Sequence, residues 1–203
     1  LTQTIVVNGP VDLTGGSGGN ADSSIVSGGT QTIVNTSGNI SLTGGAGDGA
    51  DAIISSLSSQ SITSAGNIAV TGGTGTNSDA LVSSSSLQSL IAGGDISLVG
   101  GPISGSDAII SNIGAQQGCS LLSFLCGAQQ TLVAGGSILL SPGIGLALIE
   151  GGQRSNSAGA GAFLSSDATQ QTLANLDELL LAFDALAPGT DEPDVGRRVP
   201  ICR

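Results

Sequence analysis

The chain of 203 residues has no histidine, lysine, methionine, tryptophan or tyrosine, and only three phenylalanines, Phe124, Phe163 and Phe183. Without histidine there is no Ser-His-Asp triad and no imidazole base, and without lysine there is no amine base either. A P-loop needs a lysine after its glycines, so the glycine-rich stretches are not read as nucleotide cradles. Cations are confined to Arg154, Arg197, Arg198 and Arg203 in a chain of net charge −11. Nucleic-acid binding needs a basic footprint and is therefore excluded. No apolar run reaches the ~18 residues that a transmembrane helix requires. The opening "LTQTIVV" carries no signal-peptide pattern. The expectation is either that an export region upstream is missing from this chain, or that the protein is not exported.

What is present is glycine (34 residues), serine, threonine and asparagine, with much isoleucine, leucine and valine. That aliphatic content argues for a packed interior rather than disorder. A core without aromatics suits a narrow, regularly stacked interior. Repeats confirm the direction. Gln3, Gln31, Gln60, Gln88, Gln130 and Gln171 each open a "Q-[TS]-[IL]" tripeptide, at spacings of 28, 29, 28, 42 and 41. Eight or nine residues later come apolar pairs in alternation, such as Ile40/Leu42 and Ile96/Leu98. Gly pairs follow, then a third apolar stretch in which Ile25, Ile53, Leu81 and Ile109 recur every 28 residues. Ile53 and Leu42 are expected to fill one stacked core.

Three short strands of period two, divided by Gly/Ser/Asn/Asp turns, make each unit. One unit cannot bury its apolar face alone, but stacked copies make a continuous core. The prediction is an all-β fold, a parallel β-helix with ~28-residue coils, three strands per coil and about five to six coils. A leucine-rich repeat is the alternative, but the return segment "GGAGDGADAIISS" is poor helix material. The β-helix is placed at 1–170, with loop insertions at 112–129 and 143–161. A capping segment at 171–189 either keeps the repeat register, with Leu179 and Leu181 eight and ten residues after Gln171, or reads as a helix, with Asn175 as N-cap and Pro188-Gly189 as the stop. An extended tail occupies 190–203.

Several residues invite chemistry. Asp51, Asp79 and Asp107 are spaced by 28 and would stack as a carboxylate ladder, with Asp22 one residue out of step. Each carboxylate could accept backbone N–H bonds at its turn, or the column could hold a calcium ion. The glutamine column reads as an amide ladder. Beside it, Thr4, Thr32, Ser61, Ser89 and Thr131 offer a regular hydroxyl face that could bind ice or glycans. Cys119 and Cys126 bracket "SLLSFL" and are read as a disulfide, which implies an oxidising compartment, with two buried thiols as the alternative. Cys202 is left over, free or paired with another chain. Beyond the low-weight calcium reading no cofactor is implied, and the reading is non-catalytic.

The stretches "GNISLTGGAG", "AGNIAVTGG", "AGGDISLVGG" and "AGGSILLSPG" resemble the repeats of filamentous-haemagglutinin-like exoproteins of two-partner secretion. The similarity covers about residues 1–140, and the chain lacks that family's N-terminal secretion domain. The resemblance implies a right-handed β-helix on a bacterial cell surface or in the extracellular space, exported through an outer-membrane transporter. It also implies a C-terminal disulfide loop as tether, a part that Cys119–Cys126 or Cys202 could play. The functional expectation is a structural or adhesive segment that self-associates end to end, through its coil ends and C-terminal tail, into filaments. A polysaccharide-binding or polysaccharide-degrading protein, or a cation-dependent module, is the alternative.

Overall fold

A computed structural model describes residues 1–112, 129–151, 162–166 and 170–173. Among them there are seventeen strands and no helix. The first coil holds β1 (Thr2–Val7), β2 (Val11–Thr14) and β3 (Ser23–Ser27). The second holds β4 (Thr30–Asn35), β5 (Ile40–Thr43) and β6 (Ala52–Ser56). The third holds β7 (Gln60–Ser64), β8 (Ile68–Thr71) and β9 (Ala80–Ser84). The fourth holds β10 (Gln88–Ala92), β11 (Ile96–Val99) and β12 (Ala108–Asn112). The fifth resumes with β13 (Gln129–Ala134), β14 (Ile138–Ser141) and β15 (Ala147–Gly151). β16 (Ala162–Ser166) and β17 (Gln170–Leu173) follow.

Like strands stack in parallel into three sheets of six, five and six strands, in the orders β1-β4-β7-β10-β13-β17, β2-β5-β8-β11-β14 and β3-β6-β9-β12-β15-β16. The fold is a parallel β-solenoid with about four regular turns at the ~28-residue step, as the repeats predict. Inside it, Ile33, Ile62, Leu90 and Leu132 of the first sheet meet Ile40, Ile68, Ile96, Leu42 and Leu98 of the second, all but fully buried. Ala52, Ala80 and Ala108 of the third sheet leave room for them.

The third sheet corrects one expectation. Ile25 pairs with Ile54, not Ile53, because the second coil carries an extra residue, seen as Gln31 pairing with Gln60 at a 29-residue step. Period-two alternation turns a one-residue offset into a change of face. Ile54, Val82 and Ile110 are therefore the buried column, while Ile53, Leu81 and Ile109 point outward.

The fifth coil corrects another. Ala147–Gly151, inside the expected insertion 143–161, is a strand paired with β12, with Ala147 against Ala108. The "AFLSS" strand, Ala162–Ser166, then adds to β15 in the same sheet. Ala147–Gly151 thus takes the third-strand place in the fifth coil that the sequence pattern gives to "AFLSS", because Leu146 stands where the other third strands open with Asp. At the other insertion, Asn112 and Gln129 belong to strands. β17 carries the first sheet into the segment expected to cap it; residues 174–203, with the N-cap Asn175, lie outside the described residues.

Glycine is obligatory where coils touch at the corners. A Cβ on Gly72 would stand 2.1 Å from the carbonyl oxygen of Ser106 and 2.6 Å from the Gly101 nitrogen. Inside the first sheet, the glutamines form the expected amide ladder. Nε2 of Gln31 donates to Oε1 of Gln3 at 2.7 Å, Gln60 to Gln31 at 2.9 Å, Gln88 to Gln60 at 3.0 Å and Gln130 to Gln88 at 2.6 Å. The second N–H of Gln31, Gln60 and Gln88 reaches the carbonyl of Ile25, Ile54 and Val82 respectively. Among the described residues no buried side-chain nitrogen or oxygen lacks a partner.

Two outcomes follow for stability. Gln60→Leu leaves Oε1 of Gln31 and an N–H of Gln88 unpaired in an apolar interior, and should cost about 2–4 kcal/mol in urea unfolding. Gly72→Ala forces backbone apart at a corner and should cost about 2–4 kcal/mol, with loss of cooperativity in the melt.

Candidate functional site

The corner between the second and third sheets holds the stretch that looked most like a ligand loop. Asn20 and Asn77 have φ of 54° and 52°, and Gly49 and Gly105 have φ of 64° and 76°. They occupy one turn position in successive coils, where only glycine or asparagine settles readily. Two residues on, the aspartates stack. The N–H of Asp51 donates to Oδ1 of Asp22 at 3.0 Å, that of Asp79 to Asp51 at 2.8 Å and that of Asp107 to Asp79 at 2.8 Å. The N–H of Leu146 closes the column on Oδ1 of Asp107 at 2.8 Å. Asp22 is thus in step with the others, because the second coil's extra residue shifts Asp51 along with Ile54.

The ladder uses its carboxylates as acceptors for the backbone of the next coil. Among the described residues no group of three or more acids or cysteines is placed to hold a metal ion. Burial pushes the Asp51 carboxyl above its ordinary range; the N–H of Asp79 opposes this, and the charge of Asp22 adds to it.

A second ladder was not anticipated. The N–H of Asn67 donates to Oδ1 of Asn39 at 2.9 Å, that of Asp95 to Asn67 at 2.9 Å and that of Ser137 to Asp95 at 2.8 Å. Its signal was in the sequence, as the polar residue of "G-[ND]-I" before β5, β8 and β11. It shows that an amide oxygen does the same work as a carboxylate at a coil corner.

On the outside of the first sheet, Thr4, Thr32, Ser61, Ser89 and Thr131 do stand in register. An open groove of about 340 Å³ runs along this column, lined by Thr30, Thr32, Ser59, Ser61, Ser89 and Thr131, with Leu87 in its wall and the glutamines at its base. Next to it stands a second outward column, Val6, Val34, Thr63, Ile91 and Val133, placed by the same pairing. Groove and columns can offer hydroxyls and methyls to a neutral surface. They hold no acid, base or nucleophile beyond these hydroxyls. Cys119, Cys126 and Cys202 lie outside the described residues, as does Arg154.

Searches against protein-family models, curated proteins and solved structures give no match. No helix among the described residues is long and apolar enough to cross a membrane.

The Asp51 shift has a definite sign. A carboxyl whose folded pKa is raised contributes stability below its unfolded pKa and loses it as pH rises through the folded value. Asp51→Asn keeps an acceptor for Asp79 and removes the buried charge. It should raise the urea midpoint at pH 7 and flatten the stability profile between pH 7 and 4, while leaving the midpoint near pH 3 unchanged. A midpoint lowered at pH 7 would show that the charge itself holds the corner.

Proposed function

We propose that this chain is a non-catalytic structural segment of an exported, surface-located β-solenoid, adhesive in role, which joins end to end with further coils into fibres. The observation that carries this reading is the edge formed by β1, β2 and β3, the outermost strands of all three sheets on one end of the stack. Bonds from the second coil take the carbonyls of Leu1 and Val7. By the alternation of a parallel ladder, the intervening Thr2, Thr4 and Val6 turn their N–H and C=O groups outward. Ile5, Val7 and Ile25 are only partly covered there. A coil-shaped edge of this kind is a template for another coil.

The absence of histidine and lysine from the whole chain supports a role without catalysis. Export, surface location and the outer-membrane transporter rest on the "G-[ND]-I-x-L" resemblance to two-partner-secretion exoproteins. A glycan-binding reading is favoured by one observation, the hydroxyl-lined groove on the first sheet, and has no aromatic platform to strengthen it.

Negative-stain electron microscopy and sedimentation across a concentration series test the assembly. The expected result is rods that lengthen with concentration. Thr14→Pro with Ser24→Pro removes outward N–H groups from β2 and β3 at exposed positions, and should leave folded single units. Discrete monomers of the unaltered chain at every concentration would overturn the reading.

A further inference from the structure

We infer that the outer face of the first sheet is a lateral docking surface for a second copy of this chain, packed sheet against sheet. The inference rests on the end-to-end reading above only for its strength, not for its geometry.

Charge selects the face. The described acids lie elsewhere: Asp12 on the second sheet, Asp22, Asp48, Asp51, Asp79, Asp95 and Asp107 at or beside the corners, and Glu150 in β15, paired with Ser111 in the third sheet. No ionisable side chain stands on the outward columns of β1, β4, β7, β10 and β13. Among the described residues the second sheet carries Asp12 and the third carries Glu150, whereas two copies that meet by the first sheet bring no described carboxylate together.

Surface texture points the same way. Val6, Ile91 and Val133 are 67, 41 and 37 % exposed, and Leu87 at the margin is 49 % exposed. On the third sheet, Ile109 and Leu148 also point outward, yet they are 2 and 9 % exposed. Those two positions are covered, whereas Val6, Ile91 and Val133 are open. Flat faces of short β-branched side chains pack against each other at about 10 Å separation, with hydroxyls able to pair across the seam.

Size sets the strength. Five strands at about 4.8 Å, each presenting about five residues at about 3.3 Å, give a footprint of roughly 400 Å² per copy. A standard interface buries about 800 Å² per partner, so two single segments pair weakly. Each added coil extends the same face by roughly 80 Å², so rods joined end to end reach standard size at about twice this length.

Sedimentation equilibrium and small-angle scattering on the full chain test this. The Thr14→Pro/Ser24→Pro variant is included to suppress end-to-end joining. The expected result is a concentration-dependent dimer, favoured by added salt, whose cross-section thickens while its length stays constant. Ile91→Glu, and separately Val34→Glu, should weaken it at least tenfold with unchanged melting profiles. Val26→Glu on the third sheet adds the same charge and should leave it intact. A monomer at millimolar concentration in the proline variant overturns lateral docking and leaves the end-to-end reading standing. A dimer that lengthens without thickening, or one indifferent to Ile91→Glu, also overturns it. So does a neutral glucan that binds the monomer and is lost in Ile91→Glu, an outcome that would assign the face to carbohydrate.

Discussion

The register between one coil and the next is the constraint on which the rest of this structure depends. Parallel strands about 4.8 Å apart allow no slack, since a slip of one residue would turn the buried Ile54 column out to water. Three side-chain ladders and the corner glycines hold that register. The glutamines fix it inside the first sheet, the Asp and Asn/Asp columns fix it at two corners, and Gly72 lets the backbones meet without an intervening Cβ. Hydroxyls at the remaining positions do similar local work: Ser56 and Ser64 each accept the task of bonding carbonyls from their own coil and from the one before. With these buried polar groups satisfied, the rest of the interior can be aliphatic and still unique.

Charge links this scaffold to its surroundings. The described coils contain carboxylates and no lysine, arginine or histidine side chain. Carboxylates of this kind repel a like chain, and among the described residues the outward columns of the first sheet bear none. The same acids accept backbone N–H groups of the next coil. The Asn39–Asn67 steps show that the amide form would have served, and the all-aspartate corner carries extra repulsion beyond what its hydrogen bonds need.

Much of this architecture was legible in the sequence because identical residues must stack. The glutamine spacing read directly as an amide ladder, and the strands of the first four coils followed from alternation and turn residues. What escaped shows where that logic thins. The run of Ile25, Ile53, Leu81 and Ile109 matched a 28-residue step, but the second coil is 29 long; the nine residues from Gln31 to Ile40 put the extra one at the corner between β4 and β5, and its effect on the third strand showed only in the pairing. Strand Ala147–Gly151 was hidden because Leu146 supplies only its N–H to the ladder, a backbone contribution that any residue but proline can make. The Asn39–Asn67–Asp95 ladder was visible as part of a motif, yet its role needed the distance between coils.

All these ladders point one way. In the glutamine column every Nε2 donates toward the preceding coil, and in both Asx columns every backbone N–H does the same. The amide dipoles of the column therefore add along the axis instead of cancelling, and the two ends of the stack are chemically unlike. At the first coil the Nε2 of Gln3 is the column's remaining donor, so a further coil extends the same ladder by presenting an acceptor there. Within the end-to-end reading proposed above, that contact joins unlike ends and does not close on itself.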